Sequence, residues 1–272
     1  MEVQSYNFSI NIGEMPITIF FDDNDFLEVN MTRFSNFISE KENGSINIDV
    51  EYIPLEKFKL NYEDLESPKI GFDSSKNRYI IYWNSFEGTF NMNTMIGKIS
   101  CTTHAGLNSF VRIALSLVLL KKQGFLIHAS SLIRHHKGYL FPGKSGAGKT
   151  TITRLTPDST LLSDEVSLIK KVDGKFRAYG TPFWGELSIG GENTSVSIDD
   201  VYFPVQDRKN YVNSISIILG LEKLLPNVIF YLNDLKLEKE LFDLCFEFIS
   251  YVSPYELHFL PEPDFWRFID DE

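Results

Sequence analysis

The chain has 272 residues, 43% of them hydrophobic and 14% aromatic, which is enough apolar side chain to bury a sizeable core in one large domain or two. Its formal net charge of −11 argues against general nucleic-acid binding, which leaves a basic footprint, although an acidic body can still carry a locally positive loop. No N-terminal stretch combines a basic start with an apolar core, and the longest apolar run, Ile113 to Leu120, is broken by Ser116 and bounded by Lys121 and Lys122, so a cytoplasmic protein without membrane contact is expected.

Two unequal parts are predicted, a β-rich region over 1–100 and an α/β domain over 101–272. In the first, Ser5 to Ile10, Ile17 to Phe21 and Tyr79 to Trp83 read as strands separated by Asn, Asp, Gly and Ser clusters, with one helix among them. Asp22-Asp23-Asn24-Asp25 lacks the glycine and the distal glutamate of a calcium loop and reads as a solvated turn. Nothing here forms a catalytic constellation; acceptor recognition or homo-oligomerisation is the expected role, and the residues do not decide between them. Cys101 and Cys245 match no metal or redox spacing and are expected as core thiols.

From Leu107 to Lys122 the apolar residues recur at helical spacing, predicting a helix packed on the following sheet. Phe125 to Ile133 and Lys137 to Phe141 then form a hairpin, with His135 and His136 decorating its turn. The hairpin feeds Gly143-Lys144-Ser145-Gly146-Ala147-Gly148-Lys149-Thr150, a complete G-x-x-x-x-G-K-[ST] phosphate-binding loop. Its glycines let backbone N–H groups turn inward on phosphate oxygens at a helix N-terminus, Lys149 reaches the β- and γ-phosphates, and the Thr150 hydroxyl faces Mg²⁺. The helix continues through Thr151. A bound nucleoside triphosphate is the expectation, against the plain alternative of a Gly-rich strand-to-helix turn.

Thr160 to Ser163 reads as a strand ending in Asp164 and Glu165, where a phosphate-loop enzyme places a second Mg²⁺ contact; the alternative is a solvated strand end. Val172 to Lys175 predicts another hairpin turn, 180–195 an exposed loop near the site whose Glu186 reads equally as a carboxylate near substrate or as a surface residue, and Ser214 to Leu225 and Leu235 to Val252 two helices. Tyr255 to Leu260 is a last strand, followed by an acidic tail.

The order of IHASS, a hairpin, GKSGAGKTT, LLSDE, GTPFWGE and YVSPYELHF resembles the HPr kinase/phosphorylase-related kinases, which share a fold with ATP-dependent phosphoenolpyruvate carboxykinase. The resemblance spans roughly residues 105–262. It implies an α/β fold with a P-loop core of that type, a mixed sheet with flanking helices preceded by the β-rich part. It also implies Asp164 acting near an attacking hydroxyl, Asp164 and Glu165 with Thr150 holding Mg²⁺, and His128 lying near the carboxylate. Without the resemblance, His128 sits among apolar residues and reads equally as a satisfied core histidine. The second carboxylate is Glu rather than Asp, the loop ends in Thr rather than Ser, and the C-terminal segment that engages HPr has no counterpart, so neither HPr as substrate nor phosphorylase activity is carried over. The expected activity is that of an ATP- and Mg²⁺-dependent kinase acting on a serine hydroxyl of a peptide, small protein or small molecule. The competing reading is a non-catalytic nucleotide-binding regulatory module.

Overall fold

A computed structural model describes residues 6–42, 45–58, 65–231 and 234–270 and divides into two compact units, Met1–Val118 with Phe230–Asn233, and Leu119–Ile229 with Asp234–Glu272. The protein is α/β with mixed sheets and a β-rich N-terminal part. The units divide between Val118 and Leu119 rather than between residues 100 and 101, because the helix that opens the expected second domain belongs largely to the first unit.

In the first unit β1 (Tyr6–Ile12) and β2 (Met15–Phe21) form a hairpin; Ser5, expected to begin the first strand, lies outside the described residues. Then come α1 (Asn24–Arg33), β3 (Ile38–Ser39), β4 (Ile46–Tyr52), β5 (Lys69–Asp73), β6 (Arg78–Trp83), β7 (Phe86–Asn91), β8 (Ile96–Cys101) and α2 (His104–Lys121). The eight strands lie in the order β3-β1-β2-β4-β8-β7-β6-β5, with β2–β4 and β4–β8 parallel. The acidic run is largely exposed, as expected, and it also caps the helix that follows. Asp23 caps α1, its Oδ1 accepting from Phe26 N at 2.7 Å, and Asp22 Oδ1 accepts from Tyr52 N at 3.0 Å. The α2 residue Phe110 lies against β7 and β8, where a Cβ at Gly88 would come within 2.8 Å of its ring and one at Gly97 within 3.0 Å.

In the second unit β9 (Gly124–Arg134) and β10 (Lys137–Pro142) form the expected hairpin, followed by α3 (Lys149–Arg154), β11 (Thr160–Ser163), β12 (Val166–Val172), β13 (Lys175–Tyr179), β14 (Ser195–Gln206), β15 (Tyr211–Ser214), α4 (Ile217–Leu224), β16 (Val228–Ile229), α5 (Leu235–Tyr251), β17 (Ser253–Phe259) and α6 (Phe265–Asp270). Pairings run β10–β9–β12–β13–β14 and close from β14 back to β10, while β14 continues through β17 to β15. Besides its antiparallel partner β9, β10 has a parallel neighbour in β14. Ser214 ends a strand rather than opening a helix, and Ser216 caps α4 by accepting from Leu219 N.

The acidic tail was expected beyond the last strand, but 265–270 is helical; only 271 and 272 lie outside the described residues. Phe265, Trp266 and Ile269 are buried with Tyr139, Phe141, Ile152, Tyr202 and Phe259. Trp266 Nε1 donates to Thr156 Oγ1 at 2.9 Å, and Arg134 both stacks over Trp266 and pairs with Asp270. This aromatic layer backs α3 and the segment that precedes it.

His135 and His136 form the two-residue turn of the β9–β10 hairpin with φ of 50° and 66°. Such turns favour Asn-Gly, so replacing the pair by Asn-Gly is expected to stabilise the protein by about 1 kcal/mol, read as a rise in Tm of about 2–4 °C. Cys101 and Cys245 are both buried and unpaired, and burial pushes each thiol up to about 12. At pH 8 neither should react with a disulfide reagent in the native state, and both should react once denaturant unfolds the chain. Among the described residues no helix is long and apolar enough to cross a membrane.

Candidate active site

The centre of the site is a seam in the second sheet. One half of β9 pairs with β11 and β10, the other half with β12 and β16, and His128 stands at the changeover. On one edge β10 leaves the sheet there, with Gly143 N donating to His128 O at 3.1 Å. On the other edge β11 ends and β12 begins, so Asp164 and Glu165 occupy the break, with Ala129 N donating to Glu165 O at 3.0 Å. The register of β16, with Val228 opposite Ile127, brings Asn227 to the same level. Residues distant in sequence converge because four strand ends meet at one rung.

They line a cavity of about 520 Å³ with Gly143, Lys144, Ser145, Gly146, Gly148, Lys149, Thr150, Thr151, Glu186, Gln206 and Pro226. Of the residues singled out from sequence, Ala147 alone does not line it; it packs under the loop, where a Cβ at Gly143 would come 2.7 Å from its methyl. Gly148, at φ 102°, is the N-cap of α3 and makes no side-chain cap. A Cβ there would lie 2.5 Å from the Phe259 ring, so both backbone and packing require glycine. The first-turn N–H groups of α3 have no intrahelical acceptor and are available at the cavity wall.

Lys149 Nζ donates to Gly143 O at 2.7 Å and Lys144 O at 3.1 Å, folding the ammonium back under the loop. Burial lowers its pKa below the ordinary lysine value, opposed by the charges of Glu165, Glu186 and Asp164. The ammonium thus sits between carbonyl oxygens and an acidic wall, and a phosphate entering the cavity would offer it a better-matched partner.

Asp164 is not a solvated strand end. It is 3% exposed, and its Oδ1 and Oδ2 accept from Gly185 N at 3.0 Å and Leu187 N at 2.9 Å. These contacts explain the second departure from the sequence expectation. The 180–195 segment is not simply an exposed loop: Gly180, Thr181, Pro182, Phe183 and Gly191 are buried. Thr181 N and Glu192 N donate to Leu162 O and Leu161 O, so both ends of the loop are bonded to β11. Gly191 permits the approach, since a Cβ there would stand 1.8 Å from Leu162 O. Glu186, at the loop's exposed tip, reaches the cavity.

Sequence reading missed Gln206, Pro226 and Asn227. Gln206 Nε2 donates to Gly146 O at 2.8 Å and ties the loop to the end of β14; the parallel β10–β14 pairing that places it leaves no short-range mark in the sequence. Among the described residues no three His, Cys, Asp or Glu side chains form a ready metal-binding group.

Fold and cavity together describe an α/β protein in which a glycine-rich loop and its lysine line one cavity with a pair of carboxylates. Residues 107–207 match the family described as SynChlorMet cassette protein ScmC, a description that names no activity. No curated protein matches the chain. Among solved structures, the Hpr(Ser) kinase/phosphatase from Coxiella burnetii is similar at 13% identity, over 54% of this chain and 88% of that one, with a TM-score of 0.30.

Proposed function

We propose that the protein is a phosphotransferase that binds ATP at the Gly143–Thr151 loop and passes its γ-phosphate to a serine hydroxyl of a peptide, small protein or small molecule. The observation that carries this reading is that Lys149, the loop and the Asp164–Glu165 pair line one cavity. In phosphoryl transfer the enzyme's task is positioning and charge neutralisation, for which a lysine, inward amides and an orienting carboxylate suffice.

In this reading Lys149 moves from the loop carbonyls to the β- and γ-phosphates, and the remaining loop amides up to Thr151 cradle them, Gly143 N being held by His128 O and Ala147 N by Lys144 O. The Thr150 hydroxyl and the Asp164 and Glu165 carboxylates form an all-oxygen donor set of the kind Mg²⁺ takes, completed by phosphate and water rather than by a protein cage. Mg²⁺ would supply neutralisation of charge on the phosphates. Asp164, fixed by two backbone donors, orients the acceptor hydroxyl, and His128 stands beside the carboxylates at the seam. The test is titration of the protein with ATP and Mg²⁺ by calorimetry: saturable one-site binding supports the reading, and its absence at millimolar ATP removes it.

One observation favours the non-catalytic alternative. Both Asp164 oxygens already accept backbone N–H groups, which is what a purely structural carboxylate holding the 180–195 loop would do. Each oxygen keeps a further lone pair, so the two roles are compatible, and the Asp164 variants discussed below separate them.

A further inference from the structure

The first unit holds a second cavity, of about 490 Å³, on the face of its sheet opposite Phe110. Strand alternation sets its chemistry. Ile48, Val50, Gly97, Ile99, Phe86 and Phe90 are buried on one side, and the intervening side chains project to the other. Cross-strand register arranges those into rows: Glu51, Ser100, Glu87 and Tyr82 lie side by side across β4, β8, β7 and β6, and Asp49, Lys98, Thr89 and Ile80 form the row beside them.

The face is therefore bipolar. One end carries Asp22, Asp49, Glu51 and Glu87, with Lys98 the cation among the residues that line the cavity and paired to Asp49 at 3.8 Å; Lys69 of β5 stands opposite Tyr82 at the other end. The other carries Tyr82 and Ile80, the latter 39% exposed and opposite Gly71, where a Cβ would meet nothing within 4 Å. Glu51 and Glu87 flank Ser100, which bonds Glu51 at 2.6 Å, so a cation seated over Ser100 would meet carboxylates on both neighbouring strands. From Ser100 to the β6 side chains is two strand spacings, about 10 Å, which lies between the ~7 Å and ~13 Å that separate same-face side chains two and four residues apart in an extended chain.

We propose that this face binds an extended basic polypeptide segment, placing a lysine or arginine between Glu51 and Glu87 and an apolar side chain over Tyr82 and Ile80. A long cationic side chain supplies both the charge and the apolar stem that such a groove accommodates. The inference does not depend on the phosphotransfer reading, since every residue it uses lies in the first unit.

The probe is a fluorescein-labelled peptide, Lys-Ser-Leu-Ser-Leu-Ser-Lys, followed by anisotropy with the full chain at low and high salt. Saturable binding is expected, weakened at least about threefold from 50 to 500 mM salt. It should fall at least about tenfold in Glu51→Lys/Glu87→Lys, where like charges meet, and equally when glutamates replace the peptide's lysines. The loss in Glu51→Lys/Glu87→Lys assigns binding to the first unit, whatever the ligand of the cavity in the second unit. The proposal is overturned if the lysine and glutamate peptides bind alike or if nothing binds at millimolar protein. It is also overturned if the wild type sediments as a dimer that Glu51→Lys/Glu87→Lys dissociates, because a second copy would then cover the face. Thermal melting of the double variant checks that it folds; should it not, the salt dependence and the peptide charge comparison on the wild type decide alone.

Discussion

Lys149→Ala is expected to abolish measurable phosphotransfer while leaving the fold intact. Removing one preorganised group aimed at transition-state charge typically lowers kcat by about 10²–10³, and here the same group also contributes to holding ATP. Loss of stability should stay within about 1 kcal/mol, since the ammonium's partners are two loop carbonyls at a solvent-facing cavity and not a buried ion pair. Melting curves and ATP calorimetry on the same sample check both halves. An unchanged ATP affinity would place the phosphates elsewhere. The anion site also has a pH limit: because burial lowers the Lys149 pKa, its charge is present at low pH and is lost as pH rises, earlier than for an ordinary lysine. ATP affinity should fall on that alkaline side.

The second large effect is at Asp164. Asp164→Ala leaves the half-buried Gly185 and Leu187 N–H groups without their acceptors, at about 0.5–1.5 kcal/mol each, so the 180–195 loop should loosen and the melting temperature drop. Asp164→Asn keeps the shape and one carbonyl oxygen but turns an NH₂ toward the other donor, so it should lose roughly half as much stability. Its activity is the discriminating readout: if Asp164 orients the acceptor hydroxyl, phosphotransfer falls by about 10²–10⁴ with ATP affinity little changed. A variant that melts early yet transfers phosphate at the wild-type rate would make Asp164 a loop anchor only. Limited proteolysis within 180–195 reports the loosening independently of turnover.

Local signals account for what was readable in the sequence. The G-x-x-x-x-G-K-[ST] run, the apolar strands of the β9–β10 hairpin and the Leu241, Leu244, Cys245, Phe248, Ile249 stripe of α5 are each set within a few residues of chain, and each appears where expected. Failures came where long-range pairing decides. The tie from Tyr52 N to Asp22 crosses 30 residues, and the 180–195 segment reads as exposed because its burial depends on backbone bonds to β11 across a sequence gap. The C-terminal DFWRFIDD stretch offers only one and a half helical turns of pattern, and its burial comes from Tyr139, Phe141 and Phe259. In the candidate site, Asp164 and Lys149 were legible because motif and strand end mark them. Gln206 and Asn227 were not, because only the closing β14–β10 pairing and the two-residue β16 bring them to the cavity.

The most direct test of phosphotransfer is mass spectrometry of a mixture of serine-containing peptides and free serine incubated with ATP, Mg²⁺ and the protein, beside a Lys149→Ala control. The expected result is a mass gain of one phosphate on an acceptor with the wild type and none with the variant. ATP bound by the wild type, with every acceptor unlabelled and no ADP formed, would contradict a phosphotransferase and leave a nucleotide-binding module.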